Sequence, residues 1–281
     1  MRGGATRSRP TPLSLLVGEG RGRRSIRDTQ ASTHASYLPT PTADPSPQGG
    51  GEKRAATTEI TLAGVTLLAD PAGALFWPDE RMLAVADLHL EKGSAFAARG
   101  VLLPPYDTAA TLERLNRLVD RYRPRIVVAA GDSFHDGGGP ARLSASSRAA
   151  IATLQRGRDW IWIAGNHDPD PADNIGGRFA AALAIGVLTF KHEPGTKASE
   201  GEIAGHLHPL ARVTKRGRAV SRRCFASDGR RLVMPAFGAY AGGLNIRDRA
   251  FAVLFDMPSL TAHLLGASRL YRVPALRCLA D

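Results

Sequence analysis

The sequence predicts an α/β domain that follows a disordered N-terminal extension. Short apolar runs rich in β-branched residues alternate with helix-like patterns from residue 59 to residue 192, which is typical of parallel strands joined by helices. Further strand-like runs continue to the C-terminus. Residues 1–56 are rich in Arg, Gly, Ser, Thr and Pro and have no sustained period. We therefore expect a disordered extension over residues 1–56 and one domain over residues 57–281.

The extension cannot bury enough apolar surface to offset the entropy that it would lose on ordering. Two other interpretations stay open: a targeting peptide, because a short apolar stretch is followed by arginines, and a start codon assigned too far upstream. The chain has a net charge of +11, from 37 Lys and Arg against 26 Asp and Glu. This charge favours polyanionic partners, among them nucleic acid, anionic membranes and the ribosome.

Cysteine content and hydropathy indicate the compartment. The two cysteines, Cys224 and Cys278, cannot form a disulfide framework, and no CxxC spacing indicates thiol chemistry. No apolar run approaches the ~20 residues that a membrane-spanning helix needs. We therefore expect a cytoplasmic protein that does not associate with membranes.

The first part of the domain predicts a hairpin, a buried strand and a helix. The strands come from the runs EITLAGVTLLAD and GALFWPDERMLAVADLHL. The helix comes from YDTAATLERLNRLVDRYRP, with Asp107 as its N-cap and Pro124 at its end. Its apolar residues fall on one face: Leu112, Leu115, Leu118, Val119 and Tyr122.

The second part predicts a strand at RIVVAAGD, a helix over residues 140–155 and a strand at DWIWIAGN. A short helix is expected after Phe179, followed by strands at GVLTFKHEP and GEIAGHLHP. The later runs RLVMPAFG, RAFAVLFD and RLYRV are also expected to be strands.

Polar side chains follow most of these strands at the point where each strand ends. Because the carboxyl ends of strands in open α/β sheets converge on one crevice, we expect these side chains to share a site. Asp and Asn after strands are otherwise usual turn or capping residues, but this explanation needs several coincidences. The residues are Asp87, His89, Asp132, Asn166, His167, Asp168, His192, His206 and His208.

The spacing and chemistry of these residues favour metal binding. The motifs D-x-H at Asp87 and H-x-H at His206 place residues two apart, and such residues point the same way in an extended segment. Glycines precede Asp132, Asn166 and His206, which lets the backbone pass close to a crowded centre. Carboxylate, imidazole and amide donors without thiolate suit Mn, Fe or Zn. Seven ligands exceed the needs of one ion, whereas two ions sharing a carboxylate would use them all.

The motifs D-x-H, G-D, G-N-H-D, a lone His and G-H-x-H stand in this order, which resembles the calcineurin-like metallophosphoesterase superfamily. The resemblance implies a four-layer α/β/β/α sandwich. It also implies that Asp132 bridges two ions and that His167 stands over the scissile phosphate as general acid or transition-state stabiliser. Asp168 would orient His167, with His135 and Asp136 as alternatives. The first ion would be held by Asp87, His89 and His208, and the second by Asn166, His192 and His206.

A closer resemblance covers residues 59–249 and includes GDSFHD, GNHDPDP, GHLHP and LVMPAFGAYAGG. These segments are similar to the bacterial ligase-associated DNA damage response endonuclease (PdeM) family. That resemblance implies a Mn-dependent phosphodiesterase or DNA endonuclease that acts in DNA repair, with a DNA ligase and a helicase as partners. A hydroxide held between the two ions would attack the phosphodiester.

Other functions stay open at this stage. One is a small-molecule phosphatase or cyclic-nucleotide phosphodiesterase. The other is a non-catalytic repair adaptor, against which the complete set of expected ligands argues.

A basic segment, ARVTKRGRAVSRR, directly follows the last histidine motif. It is interpreted either as a solvated hairpin or as a substrate-binding track for a phosphate backbone. Glu91 and Lys92, after the first motif, are expected to be helix-start and surface residues, although Lys92 could contact a substrate phosphate. The candidate substrate-binding residues are Arg212, Lys215, Arg216, Arg218, Arg222 and Arg223.

Overall fold

The computed structural model describes Ser14–Leu16 and residues 56–170, 174–197 and 199–281. In chain order the strands are β1 (Ser14–Leu16), β2 (Thr58–Leu62), β3 (Val65–Ala69), β4 (Leu75–Trp77), β5 (Met82–Val85), β6 (Ile126–Ala130), β7 (Asp159–Ile163), β8 (Arg178–Ala180), β9 (Ala182–Ile185), β10 (Leu188–Lys191), β11 (Glu202–Ala204), β12 (Pro209–Lys215), β13 (Arg218–Ser227), β14 (Arg231–Val233), β15 (Leu244–Asn245), β16 (Thr261–Leu265) and β17 (Leu270–Pro274). The helices are α1 (Lys92–Ala97), α2 (Asp107–Tyr122), α3 (Gly139–Arg142), α4 (Ala145–Gln155) and α5 (Arg249–Leu254), and a 3₁₀ turn spans Ala275–Arg277.

The described strands from β2 to β8 form one sheet in sequence order. The predicted hairpin is confirmed, since β2 pairs antiparallel with β3 through a two-residue turn at Ala63 and Gly64. Strands β5, β6, β7 and β8 run parallel. Their carboxyl ends therefore lie at one edge, as the sequence analysis expects.

The second sheet contains the other described strands. Its main path runs β1-β9-β10-β11-β14-β13-β12-β15, and β16 and β17 branch from β13. Strands β10, β11 and β14 are parallel neighbours, so the segments that follow β10 and β11 leave the sheet on the same side. The long hairpin of β12 and β13 extends from the end of the second histidine motif.

Three apolar cores stack these elements into four layers. The core between the sheets contains Leu62 and Met82 from the first sheet and Phe190 and Phe225 from the second. A second core packs α2 and α4 against the outer face of the first sheet. A third packs α5, through Phe251, against the outer face of the second sheet. The predicted four-layer α/β/β/α sandwich is therefore confirmed.

Two predicted elements are wrong. The short helix expected after Phe179 is replaced by β8 and β9, because Arg178–Ala180 pairs in parallel with β7 and this tertiary pairing outweighs the helix preference of an alanine-rich run. The strand expected at RAFAVLFD is helix α5. Asp248 caps that helix by accepting a hydrogen bond from the Ala250 N–H at 2.8 Å.

Most of the predicted extension, residues 1–56, lies outside the described residues. Within it, Ser14–Leu16 forms a short strand that pairs antiparallel with β9. The Ala56 N–H donates to the Ser268 carbonyl at 2.8 Å. None of the helices in the described ranges is long and apolar enough to cross a membrane.

Candidate metal centre

The polar residues that follow five strands meet at one edge of the molecule. Asp87, Asp132 and Asn166 follow β5, β6 and β7 of the first sheet, whereas His192 follows β10 and the H-x-H motif at residues 206–208 follows β11 of the second. Six of these residues form two clusters of three, and the ligand atoms within each cluster lie within 4.8 Å of one another. The predicted convergence is confirmed, and it joins both sheets. The clusters are Asp87, His89 and His208, and Asp132, His192 and His206.

The first cluster is largely buried. Its two imidazole Nε2 atoms, of His89 and His208, lie 3.2 Å apart. The His208 Nε2 lies 3.4 Å from the Asp87 Oδ1, and the Asp87 carboxylate is fully buried. Two nitrogens and a carboxylate oxygen thus face one small volume, which is the arrangement of a metal site.

The second cluster includes the amide that the sequence analysis assigns to it. The Asn166 Oδ1 lies 2.8 Å from the His192 Nε2 and 3.0 Å from the His206 Nδ1. The His192 Nε2 also lies 3.4 Å from the Asp132 Oδ1. All seven predicted ligands are therefore brought together.

Asp132 belongs to the second cluster and also faces the first. Its Oδ1 faces His192 and accepts a hydrogen bond from the His167 N–H at 2.9 Å. Its Oδ2 lies 4.0 Å from the His89 Nε2 and 3.9 Å from the His167 Nε2. The two oxygens of one carboxylate thus face different ligand sets, which is the placement that a bridging ligand requires.

The segments that carry the ligands are not extended, contrary to the geometry that the sequence analysis assumes for its two-residue spacings. Asp87 and His89 have φ values of 53° and 43°, and His206 and His208 have 70° and 47°. Left-handed backbone at residues other than glycine costs about 1–3 kcal/mol each and persists only where neighbouring contacts hold it. Here the Asp87 carboxylate accepts from the His206 N–H at 3.1 Å, so one ligand loop fixes the other.

The predicted role of the preceding glycines is confirmed. A Cβ on Gly131 would overlap the His192 ring, and one on Gly165 would overlap the Asp132 carboxylate. A Cβ on Gly205 would lie 2.6 Å from the Asp87 Oδ2. Each glycine is therefore required by a ligand that comes from a different loop.

The electrostatics of the clusters suit cations. Burial, followed by the charges of His208, His167, Lys92 and His135, lowers the pKa of His89 to about 2. Burial also lowers the pKa of His206. These rings are neutral at ordinary pH and keep a lone pair for a metal. Imidazole nitrogens, carboxylate oxygens and an amide oxygen that converge on one small volume are ligands that divalent ions bind. The donor set therefore fits two divalent ions.

His167 lies beside Asp132 with its side chain 40% exposed. Its Nδ1 lies 2.8 Å from the His135 carbonyl oxygen. A carbonyl can only accept, so Nδ1 carries the proton of the neutral ring and Nε2 faces the site with a lone pair or a second proton. The His135 backbone thus orients His167, in line with one of the predicted alternatives.

The structure does not place Asp168 in the orienting role. Its Oδ2 accepts from the Phe134 N–H at 3.0 Å and its Oδ1 from the Gly165 N–H at 3.2 Å. Among the described residues no hydrogen bond joins it to His167. Burial, with the nearby Asp132, raises the pKa of the Asp168 carboxyl to about 7. Asp168 therefore ties the loop after β6 to the loop after β7. The other alternative, Asp136, pairs with Arg142 at 2.7 Å.

The basic segment forms the predicted hairpin, and its members differ. The Arg223 guanidinium donates to the Ala236, Ala239 and Ala241 carbonyls at 3.0, 3.4 and 2.9 Å. Arg212 lies 3.8 Å from the Asp281 carboxylate. Three exposed cations lie at the tip of the hairpin, roughly 25 Å of extended chain from His208: Lys215, Arg216 and Arg218. The exposed Arg222 lies opposite Ala211, near the base of the hairpin.

Glu91 and Lys92 stand at the start of α1, as expected, but the expectation that Glu91 is a surface residue is wrong and Lys92 is only partly exposed. The Glu91 carboxylate is buried and accepts from the Ser94 hydroxyl at 2.7 Å and the Thr108 hydroxyl at 3.0 Å. The half-buried Lys92 ammonium donates to the Tyr240 carbonyl at 3.0 Å. Thr108 lies 17 positions from Glu91, and Tyr240 lies 148 positions from Lys92. No local pattern in the sequence therefore indicates the burial of these two residues.

We expect a Gly165→Ala substitution to weaken metal binding at least about tenfold, because the new methyl group would displace the Asp132 carboxylate. Gly165 does not need left-handed backbone, so the effect comes from the contact alone. The measurement is Mn²⁺ titration by calorimetry, with circular dichroism to verify folding. Gly137→Ala is the control, since a Cβ there meets nothing within 4 Å. Equal Mn²⁺ affinity in the Gly165→Ala and Gly137→Ala variants would contradict the proposed contact between a side chain at position 165 and the Asp132 carboxylate.

A family model described as calcineurin-like phosphoesterase matches residues 80–218. That segment contains all seven converging ligands and His167. None of the curated proteins matches the chain. The match therefore rests on the part of the chain that forms the candidate centre.

Among solved structures, the Pseudomonas putida nuclease MPE is similar, with 25% identity and a TM-score of 0.60 over 78% of this chain and 100% of that chain. A conserved uncharacterized protein of Streptococcus pneumoniae TIGR4, titled a predicted phosphoesterase, has 12% identity and a TM-score of 0.28 over 68% of this chain and 95% of that chain. This second likeness carries no argument. The motifs in their order, the four-layer sandwich and the family match agree, and residues 80–218 form a calcineurin-like phosphoesterase domain.

Proposed function

We propose that this protein is a binuclear metal-dependent phosphodiesterase that acts as a DNA endonuclease in bacterial DNA repair. The observation that carries the proposal is the meeting of two ligand clusters on either side of one carboxylate, Asp132. Two ions that share a ligand suit in-line displacement at phosphorus. The similar Pseudomonas putida protein is titled a nuclease, which supports a nucleic-acid substrate for this chain.

Each cluster would hold one divalent ion, and Asp132 would contribute one oxygen to each. When bound, such ions make hydroxide available near neutral pH and withdraw negative charge from phosphoryl oxygens. Manganese is the ion that we propose, and the same donor set would accept iron or zinc. The ligands are Asp87, His89 and His208 for the first ion and Asn166, His192 and His206 for the second.

His167 would deliver a proton to the leaving alkoxide or stabilise the charge that develops on it. Its Nδ1 is engaged by the His135 carbonyl, which leaves Nε2 as the atom that meets substrate. Nε2 lies 3.9 Å from the Asp132 Oδ2, on the exposed side of the carboxylate. A phosphate that reaches both ion positions would therefore lie beside this nitrogen.

Asp168 acts in this proposal as a positioning residue. By accepting the Phe134 and Gly165 N–H groups it holds together the loops that carry Asp132 and His167. A small shift of either loop would move the proton donor relative to the bridging carboxylate.

DNA is the proposed substrate because the net charge is positive and exposed cations extend from the site along the hairpin of β12 and β13. Arg212 and Arg223 would stabilise the hairpin that presents the exposed cations to DNA. Their guanidinium groups already contact the Asp281 carboxylate and the Ala236 carbonyl, respectively. The proposed partners are a DNA ligase and a helicase, and the proposed location is the cytoplasm. These rest on the resemblance to the ligase-associated family.

We expect His167→Ala to lower kcat for bis-p-nitrophenyl phosphate by about 10²–10⁴-fold with a smaller change in KM, because it removes a proton donor used in the transition state. Asp132→Asn should abolish Mn-stimulated hydrolysis, because an amide cannot share two anionic oxygens between ions. Steady-state kinetics with added Mn²⁺, and after removal of metal with EDTA, measure both effects.

The control for these variants is Asp159→Asn, which changes an exposed carboxylate at the other end of β7 and should leave activity unchanged. Full activity in both site variants would refute the assigned roles. A preference for p-nitrophenyl phosphate over the diester, independent of salt, would favour a small-molecule phosphatase.

We expect the triple variant Lys215→Ala, Arg216→Ala and Arg218→Ala to bind DNA more weakly and with a shallower salt dependence. Loss of three phosphate contacts lowers the slope of log K against log salt by roughly 2–3. Fluorescence anisotropy of labelled DNA at several salt concentrations measures the slope. A triple alanine variant of the exposed Arg156, Arg249 and Arg277 is the control. Equal slopes in the two variants would show that the hairpin is only a solvated element.

A further inference from the structure

We propose that α1 and His135 form a subsite for the nucleotide on the leaving-group side of the scissile phosphate, in which Phe96 and His135 stack on its base and Lys92 attracts its phosphate backbone. This inference rests on the proposed function and specifies where the protein binds the nucleobase on the leaving-group side of its substrate. It identifies residues that determine specificity and lie outside the metal ligands.

A row of rings leads away from the candidate metal centre. The His135 ring is stacked on the His167 ring, with centroids 5.4 Å apart and planes 26° apart. The Phe96 ring follows at 5.5 Å from His135, tilted by 36°. His135 also lies 5.8 Å from His89 in an edge-on arrangement. The row thus begins at His167, the proposed proton donor, and its next ring, His135, lies beside the metal ligand His89. A leaving group that moves past His167 therefore meets these rings next.

Phe96 does not belong to the apolar interior. It is half-buried, and the three hydrophobic cores of the described residues do not include it. His135 is also half-buried, and its Nδ1 has no hydrogen-bond partner among the described residues. The Nδ1 atom is itself buried, so it is the partly open surfaces of the two rings that are suited to a flat aromatic ligand such as a nucleobase.

The same wall carries positive charge. The Lys92 ammonium lies 5.9 Å from the Phe96 ring centroid and uses one of its three N–H groups on the Tyr240 carbonyl. Burial is the largest cause that lowers the pKa of His135 to about 4, and the charge of Lys92 is the next. The charge of the exposed Arg99 lowers this pKa further. The acid that acts on His135, Asp136, is already paired with Arg142, and the Asp107 and Glu91 carboxylates accept hydrogen bonds from α1 and α2 groups. The wall therefore favours an anionic ligand.

Hydrogen bonds fix α1 in place. The Glu91 N–H donates to the Thr108 hydroxyl at 2.8 Å, and the Gly93 N–H donates to the Asp107 carboxylate at 3.0 Å. On the other side, the Arg142 Nε donates to the Ser94 hydroxyl at 2.9 Å. The helix that presents Lys92 and Phe96 is thus anchored to α2 and α3, as a preformed subsite requires.

The test compares dinucleotide substrates. These are thymidylyl-(3′→5′)-thymidine and two analogues in which a tetrahydrofuran replaces one thymidine or the other. Product analysis by chromatography identifies the leaving nucleoside and so the analogue that lacks the leaving base. Hydrolysis of bis-p-nitrophenyl phosphate by the same preparation, with Mn²⁺, reports the proposed function separately.

In the unsubstituted protein we expect KM for the complete dinucleotide to be about 5- to 100-fold lower than for the analogue that lacks the leaving base. Phe96→Ala should remove this difference in KM with little change in kcat. Phe96→Tyr, which keeps an aromatic ring, should retain the difference. Lys92→Met should raise KM for all three dinucleotides by the same factor, and Lys92→Arg should raise it less. The control is Tyr271→Ala, a half-exposed ring on β17, which should change nothing.

Three results would overturn the subsite while leaving the proposed function intact. They are equal KM values for the complete and abasic substrates, a difference that survives Phe96→Ala, and hydrolysis of bis-p-nitrophenyl phosphate without hydrolysis of the dinucleotide. Failure to hydrolyse any diester with any divalent ion would overturn the proposed function itself.

Discussion

The crowding of carboxylate, amide and imidazole donors around Asp132 is the constraint on which the rest of the site depends. Ligand atoms of different loops lie 2.8–4.0 Å apart, and this convergence of carboxylate, amide and imidazole groups suits divalent cations. The loops can approach so closely because Gly131, Gly165 and Gly205 leave room for ligands of other loops. Left-handed backbone at the ligands turns their side chains inward, and bonds between loops hold that strain.

Much of this site could be predicted from the sequence, because chemistry placed after successive strands converges by the rules of α/β sheets. The shared site of these residues follows in that way, whereas the division of the ligands between two ions and the role of His167 come from the family resemblance. The rest depends on contacts between distant residues. The left-handed turns at Asp87 and His206, the burial of Lys92 by Tyr240 and the use of Asp168 to join two loops have no local pattern. The predictions of a strand where α5 lies and of a helix after Phe179 are wrong for the same reason, since both runs are short and tertiary packing determines their conformation.

The site combines a rigid centre with an adaptable surround. The ligands stand on segments that leave two packed sheets, so their geometry is set by the core between those sheets. The ring-lined wall of α1 and the basic hairpin of β12 and β13 lie outside that centre and are attached by hydrogen bonds and short helices. Such outer elements can differ on a common fold without altering the chemistry at the centre, because function resides in sites placed on the fold. The substrate range of this protein is therefore expected to be decided at Phe96, Lys92 and the hairpin.

The most direct test of this account is the position of metal ions in crystals grown with Mn²⁺, measured from the anomalous scattering of manganese. The account predicts two peaks about 3.5–4 Å apart, with the Asp132 carboxylate in contact with both. One ion should lie against Asp87, and the other should lie against Asn166. A single ion, or ions bound away from Asp132, would contradict it.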